Sequence, residues 1–143
     1  MLYVKTKNEK DIATVLTNLR NEDEAEMLEE FGRSWYKTLF FECKKNDIFI
    51  IKNSFHTPVG LFGIKPHINY AEICLLCTDE LKDDAISFLL QARKYVNKLL
   101  KEYRRLENYV HKKNKSAISW LKWLGFTLED FDKNKMYFYK EMK

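Results

Sequence analysis

The stretch that decides the fold is a strand, a long helix and a second strand, running from AEICLLCT at residues 71–78 to LENYVH at residues 106–111. The intervening residues 82–103 have apolar side chains at helical spacing. The buried face of this helix is predicted to consist of Ile86, Leu89, Leu90, Val96, Leu100 and Tyr103. A strand, a helix and a strand in this order predict a right-handed crossover and a parallel strand pair. Because the first strand is apolar on both faces, we expect it in the middle of a sheet.

Shorter elements flank this core on both sides. Asn8 and Ser34 are expected to cap two helices, and Gly125 is expected to end another in the left-handed conformation, with Phe126 as the apolar residue after it. The predicted strands outside the core are residues 2–6, 47–52, 59–64, 127–131 and 136–139. The resulting order, β-α-α-β-β-β-α-β-α-β-β, predicts an α/β (α+β) fold in one domain over residues 1–143.

Composition and charge exclude several classes of protein. With 143 residues, 45% of them hydrophobic and 15% aromatic, the chain can fill a core and does not have the composition of a disordered protein. Residues 1–81 hold 10 basic and 13 acidic side chains, net −3, whereas residues 82–143 hold 15 and 8, net +7. The basic half is either a solvated helix face or a surface for an acidic partner. Met1 to Lys5 shows no signal-peptide pattern and no apolar run approaches the ~20 residues of a membrane helix, so we expect a cytoplasmic protein without membrane contact.

Cysteine and histidine do not form a recognisable metal motif. The three cysteines are an odd number, which argues against a disulfide framework. Cys74 and Cys77 would point to opposite faces of a strand, so we expect buried structural thiols and no metal. His56, His67 and His111 share no ligand spacing.

Residues 114–126, NKSAISWLKWLGF, carry a family resemblance. Asn114, Ala117, Gly125 and Phe126 match the helix pattern N-x-x-A-x-x-x-Y-x-x-x-G-F of the GCN5-related N-acetyltransferases (GNATs). Together with the element order, the resemblance covers nearly the whole chain. It implies a mixed, mostly antiparallel central sheet flanked by helices. If acetyl-CoA is bound, the resemblance implies contacts from Leu76, Cys77, Thr78 and Asn114.

A narrower resemblance is to acetyltransferase-like phage proteins, which include an internal core protein of short-tailed phages. The matching pieces are residues 59–64, 105–110 and 114–126. This resemblance implies a phage or prophage origin and a role in the virion or in its assembly.

The turn before the long helix departs from the enzyme pattern. Active family members hold the cofactor diphosphate on backbone N–H groups of a Q/R-x-x-G-x-G/A turn, where glycine allows close approach. Here Asp79–Asp84 reads DELKDD, with four carboxylates, one lysine and no glycine. Two like charges about 4 Å apart cost roughly 1 kcal/mol in water and about 4 kcal/mol near a protein surface. We therefore expect no cofactor, with acetyl-CoA as the alternative.

A second departure concerns the general acid and base. The family's tyrosine, which protonates the leaving thiolate, aligns with Leu121, which has no proton to give. Tyr137 or Tyr139 is a substitute unless both are simply sheet aromatics. Glu72 lies where family members often have a general base, and its alternative role is an ion-paired carboxylate.

Surface residues near the C-terminal helix suggest a binding role. The predicted interaction residues are Trp120, Trp123, Arg104, Arg105, Lys112 and Lys113, to which Lys115 adds a further charge. The two tryptophans are either core or an interface, since tryptophan is enriched in binding hot spots. Nucleic-acid binding is a weaker hypothesis because no ladder of stacking aromatics accompanies the charges.

Two hypotheses follow from the sequence. The first is a phage-type GNAT-fold protein without standard acetyl-CoA-dependent catalysis, which binds a phage or host protein and is packaged in the virion or acts in assembly. The alternative is an active N-acetyltransferase that transfers an acyl group from acetyl-CoA to an amine with an atypical cofactor turn.

Overall fold

The described part of the chain contains seven β-strands and five α-helices. The computed structural model describes the backbone from Leu2 to Lys143 and the side chains from Tyr3 onward. The strands are β1 Leu2–Lys5, β2 Asp47–Lys52, β3 Pro58–Pro66, β4 Ala71–Cys77, β5 Arg105–His111, β6 Thr127–Asp130 and β7 Lys135–Glu141. The helices are α1 Glu9–Thr17, α2 Asn21–Phe31, α3 Trp35–Lys45, α4 Ala85–Tyr103 and α5 Lys115–Trp123. Short 3-10 turns at Gly32–Ser34 and Asp79–Asp84 precede α3 and α4.

The strands form one mixed sheet in the order β1-β2-β3-β4-β5-β7-β6. β4 and β5 pair in parallel, whereas β1–β2, β2–β3, β5–β7 and β6–β7 are antiparallel. The predicted mixed α/β fold, the parallel pair and the central position of β4 are therefore confirmed.

The chain divides into two compact units, which are residues 1–64 with 74–85, and residues 65–73 with 86–143. The prediction of one domain over residues 1–143 stays a prediction.

The first unit has a core between its helices and strands. Its buried residues include Ile12, Val15, Leu16, Leu39, Cys43, Ile48, Ile50, Leu61 and Leu76. Three helices, rather than the predicted two, lie between β1 and β2. The break between α1 and α2 is held by contacts with residues at the end of β4, because Leu19 forms a β-bridge with Thr78 and the Arg20 N–H donates to the Cys77 carbonyl at 2.9 Å.

The predicted buried face of α4 is confirmed at Val96 and Leu100 but is wrong in the N-terminal half of the helix. The buried residues of α4 are Phe88, Ala92, Val96, Leu99 and Leu100. Ile86 and Leu90, both predicted to be buried, are 78% and 45% exposed. The N-terminal half of α4 has apolar side chains on more than one face, so helical spacing alone does not choose between them.

Two predicted helix ends are confirmed. The Asn8 side chain accepts a hydrogen bond from the Asp11 N–H at 3.0 Å and caps α1. Gly125 has a φ of 89°, and the Phe126 N–H donates to the Leu121 carbonyl at 3.0 Å, which closes α5 in the expected left-handed manner. No helix within residues 2–143 is both long and apolar enough to span a bilayer.

Candidate functional site

Both catalytic candidates lie on one face of the sheet in the second unit. β4 and β5 pair Glu72 with Glu107, and β5 and β7 pair Tyr109 with Tyr137. Partners in register point to the same face, and side chains two residues apart in a strand do so as well. All four side chains therefore share one face, which we call the acidic face.

A hydrogen-bond network forms the centre of the acidic face. The Tyr137 hydroxyl donates to Glu107 Oε2, and Arg105 Nη2 donates to the Tyr137 oxygen at 2.8 Å. Arg105 also donates to Glu141. Burial raises the pKa of Tyr137 and its hydrogen bond to Glu107 raises it further, although Arg105 lowers it. The phenol therefore keeps its proton at neutral pH.

Glu72 lies beside this network and remains accessible. Its Oε1 is 3.2 Å from His67 Nε2, and its side chain is 40% exposed. The His67 ring stacks on Tyr70 with 4.3 Å between ring centroids. Glu72 therefore has His67 as a hydrogen-bonding partner, yet its carboxylate can still reach a ligand.

Aromatic rings extend the acidic face toward β6. Tyr109 and Phe131 are 45% and 58% exposed, and their centroids are 4.6 Å apart. Tyr139 stacks on Tyr137 at 5.6 Å and lies under the guanidinium of Arg105 at 4.4 Å. Carboxylates beside aromatic rings bind cations, as Arg105 already demonstrates within the chain.

The parallel ladder next to this face is short. It pairs Ala71 with Leu106 and Glu72 with Glu107. The following carbonyl of β4, that of Ile73, accepts a hydrogen bond from the Asn108 side chain at 2.8 Å. The Asn108 side chain therefore binds a β4 carbonyl that a backbone N–H of β5 would bind if the parallel ladder were longer.

The candidate cofactor residues of β4 lie in the first unit, and their polar groups bind the chain itself. The Cys77 N–H donates to Asp23 Oδ2 at 2.9 Å, and its carbonyl accepts from the Arg20 N–H. The Thr78 N–H donates to the Val59 carbonyl at 2.9 Å. Leu76 is 2% exposed and belongs to the core. At Cys77 and Thr78, a cofactor would have to compete with these internal hydrogen bonds.

A buried ion pair holds Cys77, and sequence reasoning missed it. Arg20 and Asp23 are 1% and 2% exposed, with Nη2 and Oδ1 2.8 Å apart and Nε and Oδ2 3.3 Å apart. An Arg and an Asp three residues apart at the start of an acidic helix are usually a surface pair. No pattern in the sequence therefore indicates that these two charges are buried.

The turn before α4 does not fit a diphosphate. It is a 3-10 turn in which Leu81 is completely buried, and Asp79, Glu80 and Asp83 are exposed to solvent. Three of the four exposed side chains are negative, the fourth being Lys82, and every residue in the turn carries a β-carbon. A diphosphate requires positive potential and backbone N–H groups that it can approach closely, and this turn does not provide them.

The remaining GNAT-pattern residues have structural roles in α5. Asn114 is 3% exposed, and its side chain accepts from the Ala117 N–H at 3.3 Å, which caps the helix. Leu121 is half-buried. The phenolic proton of the family pattern is absent from this position, whereas Tyr137 has one.

The predicted interaction residues have different surroundings. Trp120 packs edge-on against Phe88 at 5.3 Å, whereas Trp123 is 47% exposed beneath the guanidinium of Arg93 at 4.7 Å. Arg105 is held in the acidic face. The other three are Arg104, which has a φ of 68°, Lys112, which is 3.2 Å from Asp130, and exposed Lys113.

The cysteines have thiols that resist ionisation. Burial raises the pKa of Cys43 to about 11 and that of Cys74 to about 12, and it also raises the pKa of Cys77. Thiolates are the reactive form, so these side chains are poor nucleophiles at neutral pH. Within the described residues, no group of three or more His, Cys, Asp or Glu side chains could hold a metal ion.

Comparison with known proteins identifies the fold. No protein-family model and no curated protein matches the sequence. Among solved structures, a GCN5-related N-acetyltransferase from Kribbella flavida has a TM-score of 0.75 at 10% identity, covering 99% of this chain and 97% of that one. The PaiA N-acetyltransferase from Thermoplasma acidophilum, in complex with coenzyme A, has a TM-score of 0.70 at 23% identity, covering 99% and 100%. The N-acetyltransferase PseH from Campylobacter jejuni, in complex with acetyl coenzyme A, has a TM-score of 0.57 at 24% identity, covering 88% and 99%.

These similarities define the class of fold. The chain has the fold of the GCN5-related N-acetyltransferases. None of the three structures is a phage virion protein.

Proposed function

We propose that this chain is an N-acyltransferase that acts on a primary amine, with acetyl-CoA as the acyl donor. The observation that carries the proposal is the acidic face, on which Glu72, Glu107 and Tyr137 come together beside the short parallel ladder. The acyl donor is proposed from the acetyltransferase fold and from its neighbours with bound coenzyme A or acetyl coenzyme A.

The acidic face has the groups that an amine substrate requires. A primary amine is a cation at neutral pH, and Glu72 and Glu107 attract it, while the rings of Tyr109 and Tyr137 interact with its charge. The amine must lose a proton before it can act as a nucleophile, and Glu72 is the accessible base. The thiolate of coenzyme A would leave as the C–S bond breaks, and Tyr137 retains a proton that could be donated to it.

Two features of the chain are unfavourable for binding acetyl-CoA. Acetyl-CoA would supply the thioester whose acyl carbon the amine attacks. Neither the acidic turn Asp79–Asp84 nor the occupied N–H of Cys77 suits the cofactor. We therefore expect weak binding of acetyl-CoA, with little contribution from its diphosphate.

A non-catalytic binding protein is the second candidate. The acidic turn and Leu121 favour it, and exposed Trp123 under Arg93 offers a contact for a protein partner. In this proposal the domain is cytoplasmic or packaged in a phage particle, binds no acetyl-CoA and releases no coenzyme A from it.

The two candidates are separated by a coenzyme A release assay with a panel of primary amines and peptides. The acyltransferase proposal predicts turnover that falls at least tenfold in Glu72→Gln and in Tyr137→Phe, because a general base or acid contributes about 10²–10⁴-fold. Glu102→Gln, at an exposed position on α4, is the matched control and should keep full activity.

A lack of turnover with every amine, together with no saturable binding of acetyl-CoA by calorimetry, would reject the enzyme. Turnover that survives both Glu72→Gln and Glu107→Gln would retain the enzyme but reject the acidic face as its acceptor site.

A further inference from the structure

A second site opens on α5, away from the acidic face. It is a cavity of about 460 Å³ within the second unit. Its lining residues are Lys112, Lys115, Ile118, Ser119, Lys122, Asp130 and Met136. The volume is within the about 300–1,000 Å³ that is typical of small-molecule sites. We call it the lysine cavity.

The lysine cavity has an excess of positive charge. Three lysines and one aspartate line it, giving 3 − 1 = +2. Lys112 Nζ lies 3.2 Å from Asp130 Oδ1. Within the described part of the chain, no carboxylate forms an ion pair with Lys115 or Lys122, and both are exposed. Two ammonium groups are therefore available to an anion.

The arrangement on α5 lets these groups converge. Lys115, Ser119 and Lys122 are four and three residues apart, which puts them on one side of the helix. Ile118 and Met136 add an apolar wall. The cavity thus combines two free cations, a hydroxyl donor and an apolar surface.

The lysine cavity is separate from the proposed acceptor site. Met136 is adjacent to Tyr137 in β7, and neighbouring side chains in a strand point to opposite faces. A ligand in the cavity would therefore lie on the other face of the sheet from Glu107 and Tyr137.

We propose that the lysine cavity binds a small phosphate monoester. Lys115 and Lys122 hold the phosphoryl oxygens, the Ser119 hydroxyl donates to them, and the organic part of the ligand packs on Ile118 and Met136. A dianionic phosphate matches the +2 excess better than a monoanion does.

The cavity favours a small molecule over a nucleic acid. None of its lining residues is aromatic, so a base has no ring to stack on. Asp130, whose side chain is 81% exposed, would repel a chain of phosphates that continued past the cavity.

The test uses the full chain with phenyl phosphate as the probe and phenyl sulfate as its monoanionic counterpart. Titration followed by amide chemical shifts should saturate with phenyl phosphate, with the largest changes at Lys115, Ser119 and Lys122. Lys115→Gln and Lys122→Gln should each raise the dissociation constant for phenyl phosphate about tenfold, because each variant loses one charge-assisted hydrogen bond. Asp130→Asn should lower it, because a competing carboxylate is removed.

Lys98→Gln on α4 is the matched control, since Lys98 is exposed and lies outside the cavity. Equal weakening by Lys98→Gln, equal binding of phenyl sulfate, or shifts that do not saturate would overturn the proposal. Tighter binding of a single-stranded oligonucleotide to the same residues, with a steep salt dependence, would overturn it in favour of a nucleic acid. No acyl donor is present in this experiment, so its outcome is independent of the proposed acyltransferase activity.

Discussion

At the scale of single residues, Asp23 joins two parts of the first unit that are distant in sequence. Its carboxylate binds the Arg20 guanidinium three residues away and the Cys77 N–H 54 residues away. Both partners are buried, so water cannot replace the carboxylate if it is lost.

Replacing Asp23 with Asn should therefore destabilise the protein strongly. The substitution removes the buried carboxylate that binds the Arg20 guanidinium and leaves the more distant Glu22 Oε2, 3.6 Å from Arg20 Nη1, as an ion-pair partner. Breaking a buried pair costs about 3–5 kcal/mol. The free energy of unfolding, measured by urea denaturation, should fall by about 3 kcal/mol.

Glu24→Gln is the control for this prediction. Glu24 is one residue further along α2 and exposed, so its substitution should change the free energy of unfolding by less than about 0.5 kcal/mol. Similar small losses in both variants would mean that the buried pair contributes little.

At the scale of the element, the C-terminal end of α5 is fixed by backbone and side chain together. Gly125 has a left-handed φ of 89°, and Lys140 Nζ donates to the Leu124 carbonyl at 2.8 Å. Burial lowers the pKa of Lys140. A β-carbon at Gly125 would lie 3.0 Å from Lys140 Nζ.

Gly125→Ala should destabilise the protein by about 1–2 kcal/mol, because alanine is strained at this φ and the lysine must move. Gly63→Ala is the contrasting variant, since its β-carbon would meet only Ile48 Cγ2 at 3.9 Å, an ordinary contact. Thermal unfolding of both variants checks the prediction. A Gly63 variant that loses more stability than the Gly125 variant would contradict it.

The elements that the sequence predicted well are those specified by local signals. The caps at Asn8 and Gly125 depend on residues within one helical turn, and each is present in the structure. The predicted buried face of α4 is wrong at Ile86 and Leu90, because the N-terminal half of this helix has apolar residues on more than one face.

The candidate site depended on contacts that no local pattern encodes. Alternation in β5 puts Arg105 and Glu107 on one face, a signal that strand periodicity carries. Their partner Tyr137 is 30 residues from Glu107, and the hydrogen bond between them depends on strand pairing. The same limit applies to Asp23 and Cys77.

At the scale of the whole molecule, the distribution of charge affects how strongly acetyl-CoA can bind, which is the point on which the two proposed functions differ. The segment that should meet a diphosphate is acidic, although residues 82–143 carry a net charge of +7. Weak acetyl-CoA binding would therefore result from the turn and not from the overall charge.

Replacing Asp83 and Asp84 together by glycine should tighten acetyl-CoA binding about tenfold. The change removes two negative charges and two β-carbons from the turn, so that a diphosphate can approach the backbone. Calorimetry with acetyl-CoA measures the effect, and Glu102→Gln serves as a control for charge alone. An unchanged dissociation constant would mean that the ligand does not contact this turn.

The outermost strands of the sheet have a consequence for handling the protein. β1 and β6 end the strand order, and each has four residues. A short edge presents few unpaired backbone groups for pairing with another molecule, so edge-to-edge growth into fibrils is discouraged. Concentrated samples should consequently remain dispersed until heating exposes the long apolar strands of the interior, such as β4, and precipitation should begin at the unfolding transition and not before it.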